Sequence, residues 1–214
     1  MRRLLFFLLL STSLFATAKA VLFDYGHVLG IIDNKPIVAF ISRSLKLSPS
    51  LVKKTLKDDQ LYYALLQGED YWASFAKKHG TTLPPHWMDD LNAQKKAVIH
   101  PVPGMETLIS DLKARGYTLA ILSNTIPNRS RFIASQGGYA DFDPIILSWE
   151  VGVSKPDPKI YQIALDKLNL PATSCVFVDD KERNIRAAKK LGFDAIQFQS
   201  ADKLRAALVK RQLL

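Results

Sequence analysis

The chain has 214 residues, 48% hydrophobic and 23% charged, and a formal net charge of +9. That length holds one sizeable core plus a small accessory unit and excludes two large domains, and the composition excludes a disordered, collagen-like or repeat chain. The basic residues are scattered, not gathered in a block with interleaved aromatics, so the charge argues for a solvated surface or the steering of small anions, and no specific nucleic-acid partner is expected.

The first stretch reads as a targeting segment. Met1-Arg2-Arg3 is cationic, residues 4–10 are unbroken hydrophobe, and residues 11–18 close on Ala16-Thr17-Ala18. This is the pattern of a secretory signal peptide cut after Ala18, with a second possible cut after Ala20. It predicts an exported protein, periplasmic or secreted. The alternatives are a cytoplasmic protein, if the segment is not a functional signal, and a membrane-anchored one, if it stays uncleaved. The lone Cys175 forbids an intrachain disulfide and reads as a small buried hydrophobe.

Residues 20–29, AVLFDYGHVL, are the stretch around which the rest of the chain is organised. A short apolar run delivers Asp24 and turns at once, as a buried parallel strand does when its carboxyl end carries an acid into a crevice. Residues 33–98 then read as a run of short helices with no strand signal. Asp33-Asn34-Lys35-Pro36 starts the first, with Ile37, Phe40, Ile41 and Leu45 at helical spacing, and Ser48-Pro49 restarts through Leu51, Val52 and Leu56. Further helices cover residues 59–67, a stretch bearing Tyr71, Trp72 and Phe75, and residues 86–96. The rings of Tyr62, Tyr63, Tyr71 and Trp72 are expected to form the small core of this unit, with a specificity lid or a dimer surface as the other uses.

Beyond Pro103 strands and helices alternate. Met105, Leu108, Ile109 and Leu112 mark a helix; strands are expected at 117–122, 145–147, 176–178 and 195–198; helices are expected at 129–136, from Asp157-Pro158 onward, along Ile185, Ala188 and Leu191, and at 201–211. Such alternation argues for an α/β fold with a doubly wound parallel sheet, its crossovers right-handed and its strand order open. The expected organisation is a signal segment at 1–18, a core at 19–32 and 99–214, and an inserted helical cap at 33–98.

Strand ends place Asp24, Ser123-Asn124 and Asp179-Asp180 at one sheet edge, and a connection adds Lys155. A carboxylate there can attack phosphorus and form an aspartyl-phosphate. Attack of an anion on an anion needs a cation, which Lys155 and a divalent ion held by the carboxylates would supply. All-oxygen ligation suits Mg²⁺, and four His with one Cys give no support for a softer site. The Ser123 hydroxyl and Asn124 amide are donors fit for phosphoryl oxygens, and Lys155 fits as a point charge between Asp24 and the transferring group.

Taken together, Phe23-Asp24-Tyr25-Gly26-His27-Val28-Leu29, Ile121-Leu122-Ser123-Asn124, Gly152-Val153-Ser154-Lys155-Pro156-Asp157-Pro158-Lys159-Ile160-Tyr161, and Phe177-Val178-Asp179-Asp180 with Asn184 resemble the four ordered motifs of the haloacid dehalogenase-like hydrolase superfamily. The resemblance covers nearly all of residues 20–200 and implies a Rossmann-like core with a helical cap between the first and second motifs. It implies that Asp24 is the nucleophile, Ser123 binds the phosphoryl group and Lys155 orients and neutralises it. Asp180 would ligate Mg²⁺ directly, with Asp179 beside it, Asn184 in support and the Gly26 carbonyl as a further ligand. Small phosphorylated metabolites, such as sugar phosphates or nucleotides, would be the substrates, and the oligomeric state stays open.

One departure stands out. The family usually carries a second aspartate two residues after the nucleophile, as general acid and then base, where this chain has Gly26. His27, a water or a cap residue can stand in for it. Two other activities therefore stay open: a 2-haloacid dehalogenase, whose motif has tyrosine two residues after the nucleophile where Tyr25 here is one, and a catalytically weak member that binds phosphate or a partner.

Overall fold

The computed structural model describes residues 18–57 and 59–214. The opening segment read as a signal lies outside the described residues. β1 (Ala20–Phe23) is buried at every position. Ala20 pairs with Thr118 and Cys175, and Lys19 bonds Ser174 and Thr118. A cut after Ala18 leaves these contacts in place; a cut after Ala20 removes them.

After the turn at Asp24, β2 (Gly30–Ile32) leads into α1 (Lys35–Ser44), α2 (Pro49–Thr55), α3 (Asp59–Leu65), α4 (Glu69–Lys78) and α5 (Trp87–Lys95), and β3 (Ile99–Pro101) brings the chain back. Proline in the first turn starts α1 and α2, and Ser48 caps α2 by accepting from the Leu51 amide. The helices bury one apolar cluster of their own, including Ile37, Ile41, Leu45, Trp72, Trp87 and Leu91. Tyr62 and Trp72 lie within it, whereas Tyr63 is 43% exposed.

β2 and β3 form an antiparallel ribbon, with Ile31 opposite His100, and through it the chain leaves and rejoins the core. Hydrophobic periodicity carries no strand signal here. Each strand has only three residues, and Ile31 of β2 is an exposed apolar side chain, so there is no alternation to detect.

The core continues through α6 (Met105–Ala114), β4 (Thr118–Ser123), α7 (Pro127–Ser135), β5 (Ile145–Leu147), the short α8 (Ser148–Val151), α9 (Pro158–Leu168), β6 (Cys175–Asp179), α10 (Glu182–Lys190), β7 (Asp194–Gln197) and α11 (Ala201–Lys210). Five strands make one parallel sheet in the order β5-β4-β1-β6-β7. Alternate residues of β1 serve opposite faces: Ala20 and Leu22 pack with residues of α9 and α10, Val21 and Phe23 with those of α6 and α11. α7 starts two residues earlier than its apolar pattern suggests, because Pro127 occupies the first turn. Among the described residues no helix is long and apolar enough to cross a membrane.

Trp72 is fully buried, its ring centroid 5.0 Å from that of Trp87 and 5.5 Å from that of Phe75. Trp72→Ala should cost about 3–5 kcal/mol in equilibrium denaturation. A loss under about 1 kcal/mol would mean that the cap cluster refills the space and does not depend on this ring.

Candidate active site

Asp24 is the first residue past β1, and its amide still donates to the Val178 carbonyl at 2.8 Å, so the strand register fixes where its side chain starts. Its Oδ1 accepts from the Tyr25 amide at 2.8 Å and the Ser123 hydroxyl at 2.7 Å, and lies 3.1 Å from Lys155 Nζ. Among the described residues no donor reaches Oδ2. One oxygen is held and the other is available.

Lys155 is buried, and its ammonium is fully partnered. Nζ donates to the Leu122 carbonyl and to Asp179 Oδ2, both at 2.6 Å, forms its ion pair with Asp24, and sits 5.4 Å from the Phe177 ring centroid. Its backbone is fixed as well. Asn124 Nδ2 donates to the Lys155 carbonyl at 2.8 Å, and Asn124 Oδ1 accepts from the Lys155 amide at 2.9 Å. Asn124, expected from sequence to be a free phosphoryl donor, spends both ends of its side chain on the segment that carries the lysine, and only its second Nδ2 hydrogen is left for a ligand.

Asp179 is buried and saturated. Its Oδ1 accepts from the Lys181 amide at 2.8 Å and from Asn184 Nδ2 at 3.0 Å; its Oδ2 takes Lys155 and Asn184 Nδ2 at 2.9 Å. The Tyr161 hydroxyl steadies Asn184 by donating to its carbonyl at 3.0 Å. Asp180 differs: its Oδ1 is buried and finds no hydrogen-bond partner among the described residues. Burial first, then the charges of Asp179 and Asp24, raise the Asp180 carboxyl above the usual carboxylate range, with Lys181 opposing. Oxygens of Asp24, Asp179 and Asp180 all lie within 4.8 Å of one another. Two of the three carboxylates share one lysine, the third has a buried and unpartnered oxygen, and all the donors are hard. That set fits a divalent cation.

Gly26 sits in the turn after Asp24, bridged to Gly30, and a Cβ placed on it would meet nothing within 4 Å. His27 is exposed, at φ 61°, with its amide donating to the Gly30 carbonyl at 3.0 Å. Tyr25 points into a core cluster with Ile121, Ile133, Tyr139 and Leu147. Gly30 and Gly138 leave room for it: a Cβ would stand 2.9 Å from its ring at Gly30 and 2.6 Å from its hydroxyl oxygen at Gly138.

Sequence reasoning missed Ser148. It accepts from the Thr125 amide at 3.0 Å and donates to the Thr125 carbonyl at 3.2 Å, tying the loop after Ser123 to the end of β5. The available signal was a polar residue directly after a short apolar run, as at Asp24.

A family model described as haloacid dehalogenase-like hydrolase matches residues 18–192. The chain belongs to that family. That family is one of hydrolases, and the carboxylate cluster of this chain is a candidate divalent-metal site. The chain is similar to Acyl-CoA dehydrogenase family member 10 of Mus musculus, 27% identical over 189 residues, a match covering 84% of this chain and 18% of that protein. Sesquiterpene phosphatase astK of Aspergillus oryzae is 27% identical over 199 residues, covering 92% of this chain and 97% of that one. A HAD-family enzyme of Bacteroides thetaiotaomicron, solved as a magnesium complex, shares the fold at TM-score 0.57 and 19% identity, over 89% of this chain and 98% of that one.

A divalent ion should raise the melting temperature of the wild-type protein, because it binds the folded carboxylate cluster and not the unfolded chain. Asp180→Asn should abolish most of that rise. Since the Asp180 carboxyl is raised in the folded state, its contribution to metal-free stability is present at acid pH and lost as pH climbs through the raised value. The metal-induced shift should accordingly grow with pH over that range. An equal shift in the variant, or one that shrinks as pH rises, would remove Asp180 from the metal site.

Proposed function

We propose that the protein is a magnesium-dependent phosphomonoesterase that releases phosphate from a small phosphorylated metabolite through an aspartyl-phosphate on Asp24. The observation that carries this reading is the division of labour at Asp24: Oδ1 is held by two hydrogen bonds and the Lys155 ion pair, while Oδ2 has no donor among the described residues. Oδ2 attacks phosphorus, a bond forms between them, and the bond from phosphorus to the leaving oxygen breaks. Water then attacks the phosphorus, frees inorganic phosphate and restores the carboxylate.

Lys155 stays fixed between Asp24 and Asp179 through both steps and offsets the charge of the incoming ester. Ser123 orients the carboxylate and is placed to turn its hydroxyl to a phosphoryl oxygen. Asp180, Asp24 and the Gly26 carbonyl would hold the magnesium ion, while Asp179, saturated by protein donors, acts through its grip on Lys155. When bound, magnesium neutralises phosphoryl oxygens and polarises phosphorus toward attack. Against a haloacid dehalogenase stand the unpartnered Asp180 oxygen, which asks for a cation, and the burial of Tyr25 in the core cluster.

Across a panel of phosphorylated metabolites, wild-type protein should release phosphate with Mg²⁺ and lose that activity in a chelator. Asp24→Asn should fall to background; equal release by variant and wild type would refute the nucleophile. Gly26→Asp tests the missing acid, since a side chain has room there. It should speed hydrolysis of alkyl phosphates by about 10² or more and change p-nitrophenyl phosphate little, because the latter's leaving group departs without a proton. A uniform effect on both ester types would mean that residue 26 does not govern protonation.

A further inference from the structure

Lys155 and Asp179 come from different parts of the fold. Asp179 ends β6, whereas Lys155 lies on the connection into α9. The 2.6 Å contact between them therefore depends on how α9 is seated against β6 and α10. Asn124 holds the Lys155 backbone from the end of β4, and a residue of α9 itself supplies the hold on the other side.

That residue is Tyr161, fully buried in the first turn of α9. Its ring stands edge-on to two others, its centroid 5.5 Å from that of Phe177 in β6 and 6.0 Å from that of Phe193. Phe177 is also the ring whose centroid lies 5.4 Å from Lys155 Nζ. The Tyr161 hydroxyl donates at 3.0 Å to the Asn184 carbonyl in the first turn of α10. Asn184, 1% exposed, in turn gives Nδ2 to both oxygens of Asp179, at 3.0 and 2.9 Å. Among the described residues Asn184 Oδ1 has no partner, so the α10 backbone and the grip on Asp179 alone orient this amide.

Packing does not account for a tyrosine here. A phenylalanine would fill the same apolar space without taking a hydroxyl out of water, and the single bond to Asn184 is what offsets that cost. The bond ties the helix that follows Lys155 to the helix that braces Asp179. Through Asn184 it bears on the carboxylate, and through Phe177 the same side chain backs the ring beside the ammonium.

We propose that Tyr161 is a positioning residue for the reaction at Asp24: its hydroxyl, acting through Asn184, fixes how Asp179 and Lys155 stand against the nucleophile. The effect on turnover rests on the phosphatase reading; the effect on Asp179 and Lys155 does not.

Tyr161→Phe keeps the ring and removes only the hydroxyl. The Lys181 amide donates to Asp179 and the Tyr25 amide to Asp24, each at 2.8 Å, and both signals should move in a proton–nitrogen correlation spectrum of the variant while those of the cap helices stay in place. With p-nitrophenyl phosphate and Mg²⁺, kcat should fall about tenfold and KM change by less than about twofold. A double-mutant cycle with Asn184→Ala separates positioning from general support of the fold. Once residue 184 no longer reaches Asp179, adding Tyr161→Phe should lower kcat by less than about twofold. Unmoved Lys181 and Tyr25 signals, an unchanged kcat, an equal loss in both backgrounds, or a Tyr161→Phe that does not fold overturns the inference and leaves Tyr161 a packing residue of α9. If Asn184→Ala does not fold, the two amide signals and the kcat of the single variant decide. Should wild-type protein release phosphate from neither p-nitrophenyl phosphate nor any metabolite of the panel, the phosphatase reading falls instead, and the amide signals still decide whether Tyr161 holds Asp179.

Discussion

The site depends on one buried ammonium shared between two carboxylates. Lys155 Nζ stands 3.1 Å from Asp24 and 2.6 Å from Asp179, with the Leu122 carbonyl as its third partner. Burying three charges is costly, and such a cluster is tolerable only when every hydrogen and lone pair is used. Asp179 meets that condition completely and Asp24 only on one oxygen. The unspent capacity of the cluster is therefore gathered on Asp24 Oδ2 and on Asp180. Asp179 and the Leu122 carbonyl hold the lysine independently of Asp24, so the charge that faces Asp24 does not depend on Asp24 to stay in place.

The sheet makes this arrangement possible by a register that leaves little freedom. β4, β1 and β6 are neighbours, with Phe23 beside both Ile121 and Val178. Their polar extensions, Ser123, Asp24 and Asp179, therefore emerge side by side. A slip of one residue in β1 would exchange its two faces and turn Asp24 away from the crevice, and with both faces packed against helices that slip is strongly disfavoured. Lys155 comes from a connection, and a loop residue carrying a buried charge needs its backbone held. Asn124 does this from the strand end that also supplies Ser123, and Ser148 ties the same loop to β5. The site is thus built from three strand ends plus one clamped loop.

Much of this was legible in the sequence because it rests on local pattern. Continuous apolar runs ending in Asp24, Ser123 and Asp179 mark buried parallel strands, and Asp157-Pro158 marks a helix start that the Asp157 side chain caps at the Lys159 amide, 2.9 Å away. The features that could not be read depend on contacts distant along the chain. Asn124 looked like a donor to the ligand, and no local pattern shows that the Lys155 backbone lies across from it. The β2 and β3 ribbon is too short to carry a period, and its pairing joins residues on either side of the whole cap. Arg129 has no distinguishing local pattern, because a surface arginine in a helix is the ordinary expectation; its place 5.1 Å over the Tyr62 ring joins residues far apart along the chain.

The seam between cap and core differs from the catalytic cluster in a way that bears on how the two could change independently. The cluster consists of charges locked by strand ends, so altering one member leaves another buried and unpaired. At the seam, Phe132 of the core packs among cap side chains, Asp59 and Asn128 clasp each other, and Arg129 rests on Tyr62. These are contacts between surfaces brought together by a two-stranded ribbon, and exchanging a ring or a charge there does not disturb the register of the sheet.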